Sequence, residues 1–250
     1  MTLQRSQIET APLMHIQTYD QLSEQVAHEL IETVKEKPNA CLALPTGKTP
    51  LGTYRTLTQH FREDPALDWS KTRCFALDEY LEIKESDSFQ TFLLEHLYQK
   101  SNIAAENTFS PAQFINYDEV IEQMGGLDLT LLGIGQNGHI AFNEPETCPL
   151  SFTHCTWLEK STLDANRSDF SGKQPDRAIT VGIETILRSR RIILIAAGNN
   201  KKEIVEQAFS GEITRSVPAS FLQKHQNLQV LTDFGFSLDT TDSWQESKFL

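Results

Sequence analysis

Leu127-Asp128-Leu129-Thr130-Leu131-Leu132-Gly133-Ile134-Gly135-Gln136-Asn137-Gly138-His139-Ile140-Ala141-Phe142-Asn143-Glu144-Pro145 decides how the chain is read. Its first six residues form an apolar run that predicts a buried strand. Three glycines follow, and they let the backbone turn sharply and come close to a ligand. His139 and Glu144 then stand five residues apart, with the amides Asn137 and Asn143 beside them. An imidazole near a carboxylate, at the carboxyl end of a buried strand, is a good place for proton transfer. The competing reading of the spacing alone is a glycine-rich turn with a surface histidine.

Outward from this stretch, strand-like and helix-like segments alternate without an obvious linker. Apolar runs predict strands over 40–44, 72–77, 127–132, 191–197 and 228–232. Helical spacing places Leu22, Val26, Ala27, Leu30 and Val34 on one face of a helix over 21–35. Further helices are expected from Pro50, over 88–98, over 183–187 and over 201–209; Thr49 would cap the one that Pro50 opens. Such alternation indicates a parallel sheet covered on both faces. The run Ile192-Ile193-Leu194-Ile195-Ala196-Ala197 suits a strand buried on both sides. The expected fold is α/β: a single-domain, three-layer, mostly parallel Rossmann-like sheet with helices on both faces. The domain is expected over 16–238, between a poorly ordered N-terminal extension (1–15) and a C-terminal tail (239–250).

Composition bounds the function. The chain has 250 residues, 39% hydrophobic and 22% charged, which is ordinary for a soluble globular protein. No apolar run approaches the roughly 20 residues of a membrane span, and no secretory signal opens the chain. The expected location is cytoplasmic. Cys41, Cys74, Cys148 and Cys155 form no CxxC pair, and the first two lie in apolar runs as small buried hydrophobes would. The formal net charge of −12 disfavours nucleic acid as a partner. It also means that an anionic ligand must be captured by local positive groups. No His/Cys/Asp/Glu spacing suggests a metal, and no GxSxG elbow suggests a serine hydrolase.

Ligands of a parallel sheet bind beyond the carboxyl ends of its strands. Four such ends supply polar residues here: Thr46, Gly47, Lys48 and Thr49; Asp78; the histidine loop with Gly135; and Gly198-Asn199-Asn200-Lys201. The Gly47-Lys48-Thr49 step is not a nucleotide loop, because Leu42 stands where that motif needs its first glycine. A strand, a turn with Thr and Gly, and a helix start still make a site for one phosphate. The turn that ends in Lys201 repeats the arrangement, so the pair suggests a phosphomonoester; simple capping turns are the alternative. Asp78 reads either as a general base or as a turn aspartate. The other six histidines have no comparable setting.

These residues resemble the glucosamine-6-phosphate deaminase/isomerase family, which shares a fold with 6-phosphogluconolactonases. The resemblance covers about residues 20–235. It rests on Leu44-Pro45-Thr46-Gly47-x-Thr49-Pro50, Leu77-Asp78-Glu79-Tyr80, the histidine loop through Pro145, Ile179-Thr180-Val181-Gly182 and Pro218-Ala219-Ser220-x-Leu222. Asp78-Glu79-Tyr80 and Asn143-Glu144-Pro145 look like the deaminase branch. The resemblance implies conversion of an amino sugar 6-phosphate and water to a ketose 6-phosphate and ammonia, without a cofactor. It implies that His139, oriented by Glu144 and Asn137, opens the sugar ring. It implies Asp78 as the base that moves a proton between C2 and C1. Thr46, Gly47, Lys48, Thr49 and Lys201 would hold the phosphate.

The chain also departs from the family pattern. Many relatives have a small residue in place of Lys48, and some have aspartate in place of Asn137. The family's further phosphate-binding arginine is represented only by Arg167, one position early. Where allosteric members carry a basic pair, this chain has His154 and Thr156. Activation by an N-acetyl amino sugar phosphate is therefore not expected, and a monomer or small homo-oligomer is. Glucosamine 6-phosphate is the expected substrate, with its C4 epimer galactosamine 6-phosphate as the alternative. A lactonase and a non-catalytic phosphosugar-sensing domain are the more distant readings.

Overall fold

The structure is a computed structural model, and it describes residues 13–16, 18–170 and 172–235. Among the described residues a parallel sheet of seven strands forms the middle layer. Its strands are β1 (Leu13–His15), β2 (Cys41–Leu44), β3 (Arg73–Ala76), β5 (Thr108–Phe109), β6 (Leu129–Gly133), β9 (Arg191–Ala196) and β10 (Leu228–Thr232). Their order across the sheet is β1-β10-β9-β6-β2-β3-β5.

Alternation along the strands builds two cores. Leu42 and Leu44 of β2, Leu129 and Leu131 of β6, and Ile193 and Ile195 of β9 face one core. Cys41 and Ala43, Leu132, and Ile192, Leu194 and Ala196 face the other. Successive side chains of a strand point to opposite faces, so apolar residues at every position require cover on both sides. Helices α1 (Tyr19–Glu36), α2 (Leu51–Glu63) and α3 (Phe89–His96) cover the first core with Leu22, Leu30, Tyr54, Leu57 and Leu93. Helices α4 (Tyr117–Gln123), α6 (Ile183–Leu187) and α7 (Lys202–Ser210) cover the second with Tyr117, Ile121, Ile186, Val205 and Ala208. The expected cysteine pair is buried, while Cys148 and Cys155 are exposed.

From β2 the chain winds outward through β3 to β5, then returns to place β6 on the other side of β2 and continues through β9 to β10. The direction of winding reverses between β2 and β6. A reversal of this kind opens a crevice at the carboxyl ends of the two strands.

Several expectations need correction. The extension was read as loose through residue 15, but Leu13–His15 pairs with β10 as an edge strand. A backbone that adds a strand gains a full ladder of hydrogen bonds whatever its composition. The rest of the extension and the tail over 239–250 lie outside the described residues. Pro50 is not the first residue of a helix capped by Thr49. It occupies the cap position of α2 itself, with no side-chain cap. A second, antiparallel sheet was not foreseen: β4 (Asp78–Tyr80), β8 (Arg177–Thr180) and β7 (His154–Trp157), in the order β4-β8-β7. Its strands are short and partly polar, so they lack the long apolar run that marks a central strand.

Candidate active site

The histidine loop leaves β6 and closes on itself. Gly135 N–H donates to His139 O (2.9 Å), and Gly138 N–H donates to Gly135 O (3.1 Å). Gly138 has φ +83°, a conformation that suits glycine. Gly135 is needed for a different reason. A Cβ on it would lie 2.3 Å from His139 Cε1 and 2.4 Å from Nδ1. The imidazole therefore lies directly over this glycine, which makes Gly135 the seat of the ring.

The ring's Nδ1 sits 3.5 Å from Glu144 Oε2 and 3.3 Å from Thr162 Oγ1. Thr162 belongs to α5 (Lys160–Asn166), whose leading residues pack against the loop. Asn137 Nδ2 donates to Glu144 Oε2 (2.8 Å) and to Ser161 Oγ (3.1 Å), while its Oδ1 accepts from the backbone N–H of His139 (3.2 Å). Asn137 thus holds Glu144 and the histidine backbone. Burial pushes the Glu144 carboxyl upward. Its contacts with His139, Thr162 and Asn137 outweigh that and hold it below the ordinary carboxylate value. Asn143 is fully buried and ties the turn together by donating to Ile140 O and Val181 O.

Asp78 begins β4 with 7% of its surface exposed. Burial, reinforced by the neighbouring Glu79 charge, pushes its carboxyl up to about 8. Its backbone pairs with Thr180, whose Oγ1 accepts the N–H of Phe142 at 3.0 Å. The small sheet thereby joins Asp78 to the histidine loop. Leu77 is the junction between the sheets: its N–H reaches Leu44 O, and its carbonyl accepts from Val181 N–H.

The two phosphate-type turns flank these groups. After β2, Gly47 adopts φ +92°. Tyr54 Oη donates to Pro45 O at one end of the turn. At the other end Tyr19 Oη donates to Thr49 O and accepts from Gly52 N–H, both at 2.8 Å. After β9, Gly198 adopts φ +88°, and its N–H donates to Asp233 Oδ1 (2.7 Å). Lys201 follows and donates Nζ to Ile134 O (2.7 Å), inside the histidine loop. Burial lowers its ammonium pKa below the ordinary lysine value.

The four turns belong to β9, β6, β2 and β3, which are consecutive across the sheet. At about 4.8 Å between neighbouring strands, they span about 14 Å. Lys48 is exposed on the β2 turn, and Arg167 is exposed at the end of α5. The adjacent Asn166 reaches Tyr80 Oη on β4. Thr162 was not picked out from the sequence, since a threonine in a polar helix carries no signal of its own. Among the described residues no cluster of three His, Cys, Asp or Glu could hold a metal ion, and no helix is long and apolar enough to cross a membrane.

A Rossmann-like sheet carries an imidazole–carboxylate pair at its switch point and a buried carboxyl after β3, the layout of an enzyme site. The chain belongs to the family described as glucosamine-6-phosphate isomerases/6-phosphogluconolactonase, whose model matches residues 15–231. It is 42% identical over 229 residues to the glucosamine-6-phosphate deaminase of Lachnoclostridium phytofermentans, covering 87% of this chain and 97% of that one. It is 44% identical over 213 residues to glucosamine-6-phosphate deaminase 2 of Giardia intestinalis, covering 80% and 81%. A solved structure of a monomeric glucosamine-6-phosphate deaminase superposes with a TM-score of 0.85 at 36% identity, covering 88% of this chain and 96% of that one. The 6-phosphogluconolactonase of Trypanosoma brucei shares the fold, with a TM-score of 0.69 at 19% identity over 89% of this chain and 96% of that one.

Proposed function

We propose that the protein converts glucosamine 6-phosphate and water to fructose 6-phosphate and ammonia. One observation carries this reading. The buried Asp78 and the His139–Glu144 pair follow β3 and β6, on either side of β2, in a chain that is 36–44% identical to three deaminases.

The substrate binds as the closed sugar, its phosphate between the Thr46–Thr49 turn and Lys201, with Lys48 and Arg167 as further cationic contacts at the rim. His139 moves the anomeric proton to the ring oxygen, and the ring opens to the aldehyde. Glu144 holds the imidazole and stabilises its charged form. Asp78 takes the proton from C2 and an enolamine forms. Return of a proton to C1 leaves an iminium at C2. Water adds to C2, and ammonia leaves as the carbinolamine collapses to the ketone. The substrate's ammonium beside Asp78 favours the carboxylate form that the first proton transfer needs. The C1 aldehyde accepts the electrons of the C2–H bond, and the nitrogen lone pair then drives protonation at C1, so the chemistry requires no cofactor.

The reading further includes a cytoplasmic protein acting as a monomer or small homo-oligomer. The test is ammonia release from glucosamine 6-phosphate and from galactosamine 6-phosphate, with 6-phosphogluconolactone hydrolysis as control. Turnover of the first substrate is expected. Release from neither amino sugar would end the proposal, and preference for the second would reassign the epimer.

A further inference from the structure

We infer that Thr162 is a positioning residue that fixes the tautomer of His139 and closes the proton circuit of the site. The need for such a residue follows from the distances. Glu144 Oε2 stands 3.5 Å from His139 Nδ1, and Thr162 Oγ1 stands 3.3 Å from it. Both are longer than the usual N–H···O bond, so neither contact alone holds the ring tightly. Asn137 does not tighten it, because its amide is committed to Glu144, Ser161 and the histidine backbone. Thr162 Oγ1 is the closer of the two partners, and Thr162 is only 2% exposed. The same hydroxyl helps to hold the Glu144 carboxyl below the ordinary carboxylate value.

A hydroxyl has one proton to donate and lone pairs to accept with, whereas an ionised carboxylate only accepts. With Glu144 ionised, the consistent arrangement has Nδ1–H donating to Thr162 Oγ1 and the Thr162 proton donating to Glu144. Nδ1 is then always the protonated nitrogen of the neutral ring. Nε2 keeps its lone pair for the sugar. The hydroxyl acts through the histidine and touches no reacting atom.

Its place on α5 adds a second consequence. Contacts from the start of this helix reach the pair and its holder: Glu159 N–H to Glu144 Oε1 (3.3 Å), Thr162 to His139, and Ser161 Oγ accepting from Asn137. Seating the helix and fixing the tautomer are therefore one event.

The test compares Thr162→Val, which keeps the shape and removes the hydroxyl, with Thr162→Ser, which keeps the hydroxyl. A positioned acid–base group is worth about 10²–10⁴ in rate, so loss of its orientation alone should cost about 10- to 100-fold in kcat with KM nearly unchanged. Thr162→Ser should stay within a few-fold of the parent. Nitrogen-15 NMR of the His139 ring, assigned with a His139→Asn control, supplies a readout without substrate. It should report a protonated Nδ1 in the parent and Thr162→Ser, and a mixture of tautomers in Thr162→Val. Should the valine variant misfold, Thr162→Ala takes its place.

The kinetic arm rests on the deaminase reading, whereas the NMR arm does not. If no variant and no parent enzyme releases ammonia, that reading fails and the nitrogen spectrum alone decides the inference. An unchanged His139 spectrum in Thr162→Val, or kcat within twofold of the parent, would overturn it.

Discussion

Asp78 and Glu79 are consecutive on one three-residue strand, yet their carboxyls are held in opposite ways. Glu79 accepts the backbone N–H groups of Tyr80, Phe89 and Gln90, and so caps the start of α3. Asp78 has the raised pKa of about 8, from burial and from the charge of its neighbour. One carboxylate builds the scaffold and the other is left poised to exchange a proton. Burial raises the Glu79 carboxyl as well, but its three backbone hydrogen bonds offset part of that rise.

The first prediction concerns pH. The kcat/KM profile reports the free enzyme, in which Asp78 must lose its proton to act as a base. Activity on glucosamine 6-phosphate should therefore rise through an inflection near pH 8. Asp78→Asn should abolish turnover while leaving phosphosugar binding largely intact. A flat kcat/KM between pH 6 and pH 9 would remove Asp78 from the base role.

The second prediction is on stability. An unfolded aspartate titrates near 3.9, and folded Asp78 titrates near 8. Between these values the folded state binds the proton more tightly. The stability carried by the protonated carboxyl is fully present below about pH 3.9 and is lost as pH rises through about 8. Asp78→Asn carries no such titration. Relative to the parent, its melting temperature should be similar at pH 4 and higher at pH 8.5, by several degrees if the relief is about 2 kcal/mol. An equal offset at both pH values would contradict the burial argument.

Much of this was legible from residue order alone. The central strands β2, β6, β9 and β10 are buried at nearly every position because both faces are covered, and the apolar runs this produces are what sequence shows best. The four polar strand ends were legible for the same reason: a strand end fixes where its turn lies. Strands β4, β7 and β8 were not, because they are defined by partners distant in the chain and not by a run of their own. Thr162 escaped for a related reason. Its meaning comes from His139, 23 positions away, and no local pattern encodes that meeting. Gly135 was read as room for a ligand, and the structure shows that it is room for the imidazole.

Lys201 gives the third prediction. Its buried ammonium donates to Ile134 O and stands beside the histidine loop. Phosphate is held equally in ground and transition states, so its contacts act on KM more than on kcat. Lys201→Ala should raise KM for glucosamine 6-phosphate by about tenfold or more, consistent with about 1.5–3 kcal/mol for a hydrogen bond to a charged group. Initial-rate kinetics checks this; a loss confined to kcat would place Lys201 in the chemistry instead.

The fourth prediction is regulatory. At the positions where allosteric relatives carry a basic pair, His154 Nδ1 lies 2.8 Å from Phe152 O, and Thr156 donates to Trp157 O. Neither position offers a fixed positive charge for a phosphate. N-acetylglucosamine 6-phosphate should leave the substrate saturation curve hyperbolic and its midpoint unchanged. A measured rise in substrate affinity on adding it would overturn this reading of His154 and Thr156.

Gly135→Ala tests how tightly the ring is seated. The new Cβ would fall 2.3 Å from His139 Cε1, a separation that no relaxed structure holds, so the imidazole must move. The loop has no need of glycine for its backbone at this position, since Gly135 is not among the residues with positive φ. The fold should therefore survive with a modest loss in melting temperature. The ring, displaced by about 1 Å from Glu144 and Thr162, should lose on the order of 10²-fold in kcat, with substrate binding retained. Measuring kcat beside binding of a non-reactive phosphosugar separates the two effects. A Gly135→Ala enzyme with normal kcat would mean that the ring can sit elsewhere and still open the sugar.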